Sequence, residues 1–228
     1  MQINSRPQRG FKGAFMKRFV LVLALLAVGT LVFAQVNLDE FSFVGGKWEI
    51  TADRLYQNDE KARLAKTNIK APQEGAMLYE FEARYEGGAE DGHGGFGLHI
   101  FVNNPFDRVS WGAAQSILLW LNYDENPINK EIHKGFSGQV YRSINNSTME
   151  LIQSFDLNEF IELLTEENLA EPVPFKIIVD GNTGEIQIFD PTTNDGSYYQ
   201  FFIDKKLLPL KGDWVVLRTN GMKMSFTN

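Results

Sequence analysis

From residue 41 onward, apolar and polar residues alternate along most of this chain. The clearest stretch runs from Gly75 to Asn103. Met77, Tyr79, Phe81, Ala83 and Tyr85 fall on one face of an extended segment; Leu78, Glu80, Glu82, Arg84 and Glu86 fall on the other. A period of two predicts a strand with one face in a core and one towards water. The Gly-rich, acidic EGGAEDGHGG then predicts a turn. Phe96, Leu98 and Ile100 resume the buried face beyond it, so the two strands read as a hairpin.

The same reading extends in both directions. FSFVGGKWEI, from Phe41 to Ile50, predicts a strand broken at Gly45-Gly46. Arg54 to Gln57 and Lys66 to Ile69 are short strands, and Ala71 to Gly75 is a turn. Asn103 to Asp107 is a loop. Ser116 to Tyr123 is apolar on both faces, which predicts a central strand covered on both sides. Gly135 to Ile144 and Thr148 to Phe155 form a pair turning at Asn145-Asn146-Ser147. Phe175 to Val179 and Glu185 to Phe189 flank an Asp-Gly turn, a strong hairpin signal. Asp190 to Ser197 is a loop and Tyr198 to Ile203 a strand. Trp214 to Arg218 and Met222 to Phe226 close the chain around Thr219-Asn220-Gly221. One short helix is expected. Asp156 and Glu159 have capping-box spacing, Leu157, Phe160, Ile161 and Leu164 recur at helical intervals, and the helix ends near Glu167. Ten to twelve strands and one short helix predict an all-β, two-sheet antiparallel sandwich.

The leader reads differently. Met16-Lys17-Arg18 is a basic start, Phe19 to Val32 an apolar run, and Val32-Phe33-Ala34 a small-residue cleavage site. These features predict a signal peptide cut after Ala34, with the start codon at Met1 or Met16. Residues 1–34 are then extension plus leader, and 35–228 one sandwich domain. The apolar run is short for a membrane span, so no span is expected after cleavage. Five of the 22 basic residues and none of the 29 acidic ones lie in the leader, so the remainder carries −12. That charge disfavours nucleic acid and anionic lipid as partners. With no cysteine, disulfides, thiolate chemistry and Cys-bound zinc are excluded. Fourteen Phe and four Trp beyond the leader supply the core instead.

Three segments together resemble the concanavalin A-like lectin/glucanase superfamily, whose jelly rolls include laminin G-like modules. They are AMLYEFEARYE followed by GGFGLHIF, then FKIIVDGNTGEIQIF, and the closing WVVLRTNGMKMSFTN. The resemblance implies a jelly-roll sandwich over most of Phe41 to Asn228. Glucanases of that superfamily carry Glu-x-Asp-x-x-Glu on a strand, the first Glu a nucleophile and the last a general acid/base. Here Glu80 to Glu86 is similar, but Glu82 stands where the motif has Asp, and Glu86 comes one residue late. Glu80 and Glu82 are two apart on a strand, near the separation a retaining glycosidase needs. A Ca²⁺ site built from loop oxygens is implied as natural for the superfamily, with Glu90 and Asp91, Asp180 and Asn182, or Asp190, Asn194 and Asp195 as donors. His93, Asp91 and His99 lack the spacing of a known zinc site.

The aromatic residues outside the core pattern point to binding. Trp111 follows a loop, and Trp120 faces away from Leu119 and Leu121. Indoles stack on the apolar faces of sugars, and His99, Glu82, Arg142 or Asn122 are candidate hydrogen-bonding partners. The alternative is that Trp120 is core and Trp111 packs under a loop. The expected function is an exported, non-catalytic module for carbohydrate or another extracytoplasmic ligand. Two alternatives stand beside it: a structural protein of the cell envelope (surface layer or appendage sheath) binding an envelope partner, and a glycoside hydrolase acting through Glu80 and Glu82.

Overall fold

The computed structural model describes residues 41–158, 171–191 and 196–227. The leader and residues 159–167 of the expected helix lie outside them. Among the described residues there are fourteen strands and one 3-10 turn, Lys205–Leu207. The strands are β1 (Phe41–Val44), β2 (Trp48–Ile50), β3 (Leu55–Gln57), β4 (Ala65–Glu74), β5 (Ala76–Gly88), β6 (His93–Val102) and β7 (Ser116–Asp124). They continue as β8 (Gly135–Ser143), β9 (Met149–Asp156), β10 (Val173–Asp180), β11 (Glu185–Phe189), β12 (Tyr198–Phe202), β13 (Lys211–Asn220) and β14 (Met222–Thr227). Seven form a front sheet in the order β1-β4-β13-β6-β7-β8-β9, and seven a back sheet in the order β12-β11-β10-β5-β14-β3-β2. All pairings are antiparallel.

The period-two pattern fills the space between the sheets as expected. Tyr79 and Ala83 of β5, Ile177 and Val179 of β10, and Met224 and Phe226 of β14 face Leu98 and Ile100 of β6, Leu119 of β7 and Leu217 of β13. Phe96 makes an edge contact with Phe175 and a tilted one with Phe226. Phe155 stacks on Tyr199 and Phe201. Aromatic contacts of this kind bind the two layers of a cysteine-free sandwich.

Three expectations change. The Gly75–Asn103 segment is not a hairpin. β5 pairs with β10 and β14, while β6 pairs with β7 and β13, so the Gly-rich turn carries the chain across the core from one sheet to the other. Hairpin and arch share the same alternation, because each puts one face in a core. The strand broken at Gly45-Gly46 likewise divides between sheets, β1 in front and β2 behind, with both glycines at positive φ (68° and 70°). Ala71 to Glu74 belongs to β4 rather than to a turn. Pro72 has no N–H to give, and it sits where β13 shifts register between Gly212 and Trp214. Gln73 holds this stretch to the sandwich. Its Oε1 accepts from Tyr79 Oη (2.7 Å) and the Phe101 amide (2.9 Å), and its Nε2 donates to Trp214 O (2.8 Å).

Candidate functional site

Register fixes what the front sheet shows on its outer side. One row across β4, β13, β6, β7 and β8 is Lys66, Arg218, Gly97, Trp120 and Gln139. The next is Asn68, Val216, His99, Leu118 and Tyr141. Residues 103–115 join β6 to β7 and fold back over this face. Lys66 Nζ holds the loop with three bonds, to Ser110 O (2.7 Å), Ser110 Oγ (2.8 Å) and Gly112 O (2.6 Å). Ser143 Oγ accepts from the Ala113 amide (3.0 Å) and donates to Ala114 O (2.8 Å).

Arg218 is the centre of this arrangement. Its Nη1 donates to Trp111 O (2.9 Å), and its guanidinium lies 4.8 Å from the ring centroids of both Trp111 and Trp120. The cation is therefore sandwiched between two indoles, an attractive contact with the electron-rich ring faces that strengthens on desolvation. Trp111 remains 47% exposed, while Trp120 is 8% exposed. Trp120 donates Nε1–H to Asn122 Oδ1 (3.0 Å) and lies over Gly95. A Cβ at Gly95 would stand 2.5 Å from Trp120 Cζ2, so only glycine leaves room for the ring. On the neighbouring strand Tyr141 Oη donates to Gln139 Oε1 (2.7 Å), and Gln139 Nε2 donates to Ser137 Oγ (2.9 Å). Amides and hydroxyls thus run beside the indoles.

The electrostatics are unusual. Neither Lys66 nor Arg218 makes an ion pair among the described residues, though both are buried. Burial, and then the Arg218 charge, pulls the Lys66 ammonium down to about 7. Burial brings Arg218 down to about 10, so it stays cationic at neutral pH. His99 is fully buried. Burial first, then Arg218 and Lys66, holds its imidazole well below its usual range. Its Nδ1 lies 3.0 Å from Ser116 Oγ, whose own hydrogen goes to Ala113 O (2.8 Å). The neutral ring must therefore carry its hydrogen on Nδ1, leaving Nε2 without a partner.

The expected site residues divide between three places. Trp111, Trp120 and His99 come together on this face, although His99 lies beneath it, and Asn122 bonds to Trp120. Arg142 does not join them. It pairs across the strands with Ile117, on the core side, and ion-pairs with Glu150 at 3.7 Å. Glu80 and Glu82 lie on the outer side of the back sheet, where Glu80 meets Lys176 at 3.5 Å. Glu82 therefore cannot act with Trp120, because the whole sandwich separates them. Asp91 meets Arg63 at 3.5 Å and accepts from the His93 amide (3.2 Å), while His93 Nε2 faces Asp124 Oδ1 at 3.2 Å. Glu90 is exposed at the same turn. Asp180 Oδ1 accepts from the Asn182 amide (2.8 Å), and Asn194 and Asp195 lie outside the described residues. No cluster of three or more His, Asp or Glu suited to a metal occurs among the described residues.

Sequence reasoning missed Lys66 and Arg218. The available signal was parity: in WVVLRTN, Trp214, Val216 and Arg218 share one face of a strand apolar on both sides. A concavity of about 310 Å³ lies between the sheets, away from Trp111, and is lined by Phe81, Phe136, Phe155, Phe175 and Tyr199. Its walls are almost wholly apolar, so they offer few partners for a hydroxylated ligand.

No family model and no curated protein matches the sequence. Solved structures do resemble it. A Bacillus subtilis protein of unknown function with a galectin-like fold aligns over 85% of this chain and 89% of its own, at TM-score 0.52 and 14% identity. A Bauhinia forficata lectin in complex with GalNAc aligns over 86% and 94%, at TM-score 0.45 and 12% identity. Lectin II from Ulex europaeus aligns over 84% and 93%, at TM-score 0.46 and 12% identity. With its paired seven-stranded antiparallel sheets and shared core, the chain has a galectin-like jelly-roll fold.

Proposed function

We propose that this chain is an exported, non-catalytic binding module that takes carbohydrate on the outer side of the front sheet, against Trp111. One observation carries the reading: an indole left 47% exposed on a loop that two buried cations tie to the sheet. An exposed Trp on a loose loop would lose much of its contact energy in being ordered. Here Arg218 has fixed the ring before any ligand arrives. Trp111 offers the apolar platform on which a pyranose stacks, and Asn122 and Tyr141, both partly buried, place polar groups on the same face. Export rests on the basic start and apolar run of the leader.

Isothermal titration against a glycan panel tests this. A bound glycan should lose roughly tenfold in affinity on Trp111→Ala, the equivalent of about 1.4 kcal/mol. Arg142→Ala, on the core side of the sheet, should leave affinity unchanged. Equal affinity of the native protein and Trp111→Ala removes Trp111 from the site, and a panel on which nothing binds removes carbohydrate.

A further inference from the structure

The two outer rows of the front sheet that carry Lys66, Arg218, Trp120, His99 and Tyr141 hold no carboxylate. The loop folded over them has one acid, Asp107, which is exposed beside Arg108. Two buried cations therefore lie under this loop with no acid among the described residues to balance them. The acidic group that acts on Arg218 is the Tyr141 phenol, and burial pushes it up to about 12, so it is neutral. This is a local departure in a chain with 29 acidic residues against 22 basic ones. A buried charge without a counter-charge costs stability, and a ligand that brings one recovers that cost.

The two cations differ in what they have left to give. An ammonium has three N–H groups, and Lys66 spends all three on the loop. A guanidinium has five, and Arg218 spends one, from Nη1 to Trp111 O. Its Nε is closed off from solvent and has no partner. Its Nη2 makes no hydrogen bond either, but it is not closed off. The indoles of Trp111 and Trp120 flank the guanidinium at 4.8 Å each, so an incoming group meets it at the rim. Nε and Nη2 share one side of that rim. Their parallel N–H bonds match the two oxygens of a carboxylate, and a planar group suits the space between two rings.

Resting on the carbohydrate reading above, we propose that the Nε–Nη2 side of Arg218 takes a carboxylate, and that the glycan bound against Trp111 is acidic, built from uronic acids. The sugar chain gains its apolar contact from Trp111, and a carboxylate reaching the rim supplies the missing counter-charge. Lys66 adds attraction without a bond of its own, because its three N–H groups are already used. Bulk charge does not produce such a preference. The chain's net −7 repels polyanions at long range, so a preference for acidic sugar has to come from these short-range contacts.

Oligomers of galacturonate, mannuronate and glucuronate test this, each beside its carboxyl-reduced form, which keeps the ring and replaces the carboxylate with a hydroxymethyl group. Titration calorimetry of the native protein should show a uronate bound at least about tenfold more tightly than its reduced partner. Arg218→Lys keeps a cation between the indoles but removes the two-pronged rim. It should bring that ratio close to one, with circular dichroism showing the sandwich intact. In the native protein, the Arg218 Nε–H proton resonance should move downfield on adding the uronate and hold still on adding the reduced form. Equal binding of acidic and reduced forms leaves the carbohydrate reading standing and ends this one; no binding of either ends both. A preference that survives Arg218→Lys, or an Nε–H resonance that the uronate does not move, places the carboxylate elsewhere and overturns the assignment. Poly-L-glutamate bound as tightly as the uronates would give the rim to an acidic protein partner. Acetate competing at the same carboxylate concentration would make it a site for free carboxylate. Either result equally ends the proposal.

Discussion

Lys66 illustrates the cost of holding a loop with a buried cation. Its ammonium has three oxygen acceptors but no counter-charge among the described residues, and burial brings it down to about 7. In the unfolded chain a lysine keeps its proton to about 10.4. Below about 7 both states are protonated, and the folded state bears the full cost of the buried charge. Between about 7 and about 10 the unfolded chain holds more protons, so raising the pH favours folding. Urea unfolding of the native chain should show a rise in stability over this window relative to Lys66→Met; a constant difference between the two would contradict the assignment. At this scale the sequence was partly legible. Parity turned Trp120 away from Leu119 and Leu121, and His99 away from Leu98 and Ile100, each within its own strand. It did not reveal Arg218, because an arginine in an apolar strand reads as a solvated edge position until the neighbouring rings are known. Arg142 and Glu82 failed for another reason. Parity sorts residues within a strand, but it does not relate one strand's faces to another's.

Elements raise the same issue of connection. β5 and β6 alternate as a hairpin would, yet they enter different sheets. What marks the crossing is bonding at the end of the sandwich. The Ala89 amide donates to Gly221 O (2.8 Å), and the Gly221 amide donates to Ala62 O (3.0 Å). The β3–β4, β5–β6 and β13–β14 connections are thus joined at one end, a long-range arrangement that no local turn signal encodes. The glycines of β6 also had a meaning that composition hid. HGGFGLHIF reads as turn residues running into a strand, but Gly95 is floor for the Trp120 ring. Gly95→Ala would bring a methyl within 2.6 Å of Leu121 O as well as against the indole. Overpacking of that kind should destabilise the protein by about 1–3 kcal/mol in denaturant unfolding. Unaltered stability would mean that Trp120 sits elsewhere.

For the whole molecule, fold class was the most legible property, because two faces per strand and many short strands admit few packings. Strand order was not. β13 lies between β4 and β6, and β14 between β5 and β3, so both sheets are completed by strands that follow all their other members in sequence. Neither sheet closes until synthesis of those strands is finished. The protein should accordingly unfold in one step, with backbone circular dichroism and near-ultraviolet aromatic circular dichroism giving the same denaturant midpoint. Separate midpoints would show that the sandwich is two units.

The guanidinium between Trp111 and Trp120 has an optical consequence. Both rings share one cation, and indole emission responds to charge at the ring face. A guest seated on Trp111 that moves it relative to Arg218 changes the light from both indoles. On the proposed reading of Trp111 as a platform, tryptophan emission would report a bound guest without a label.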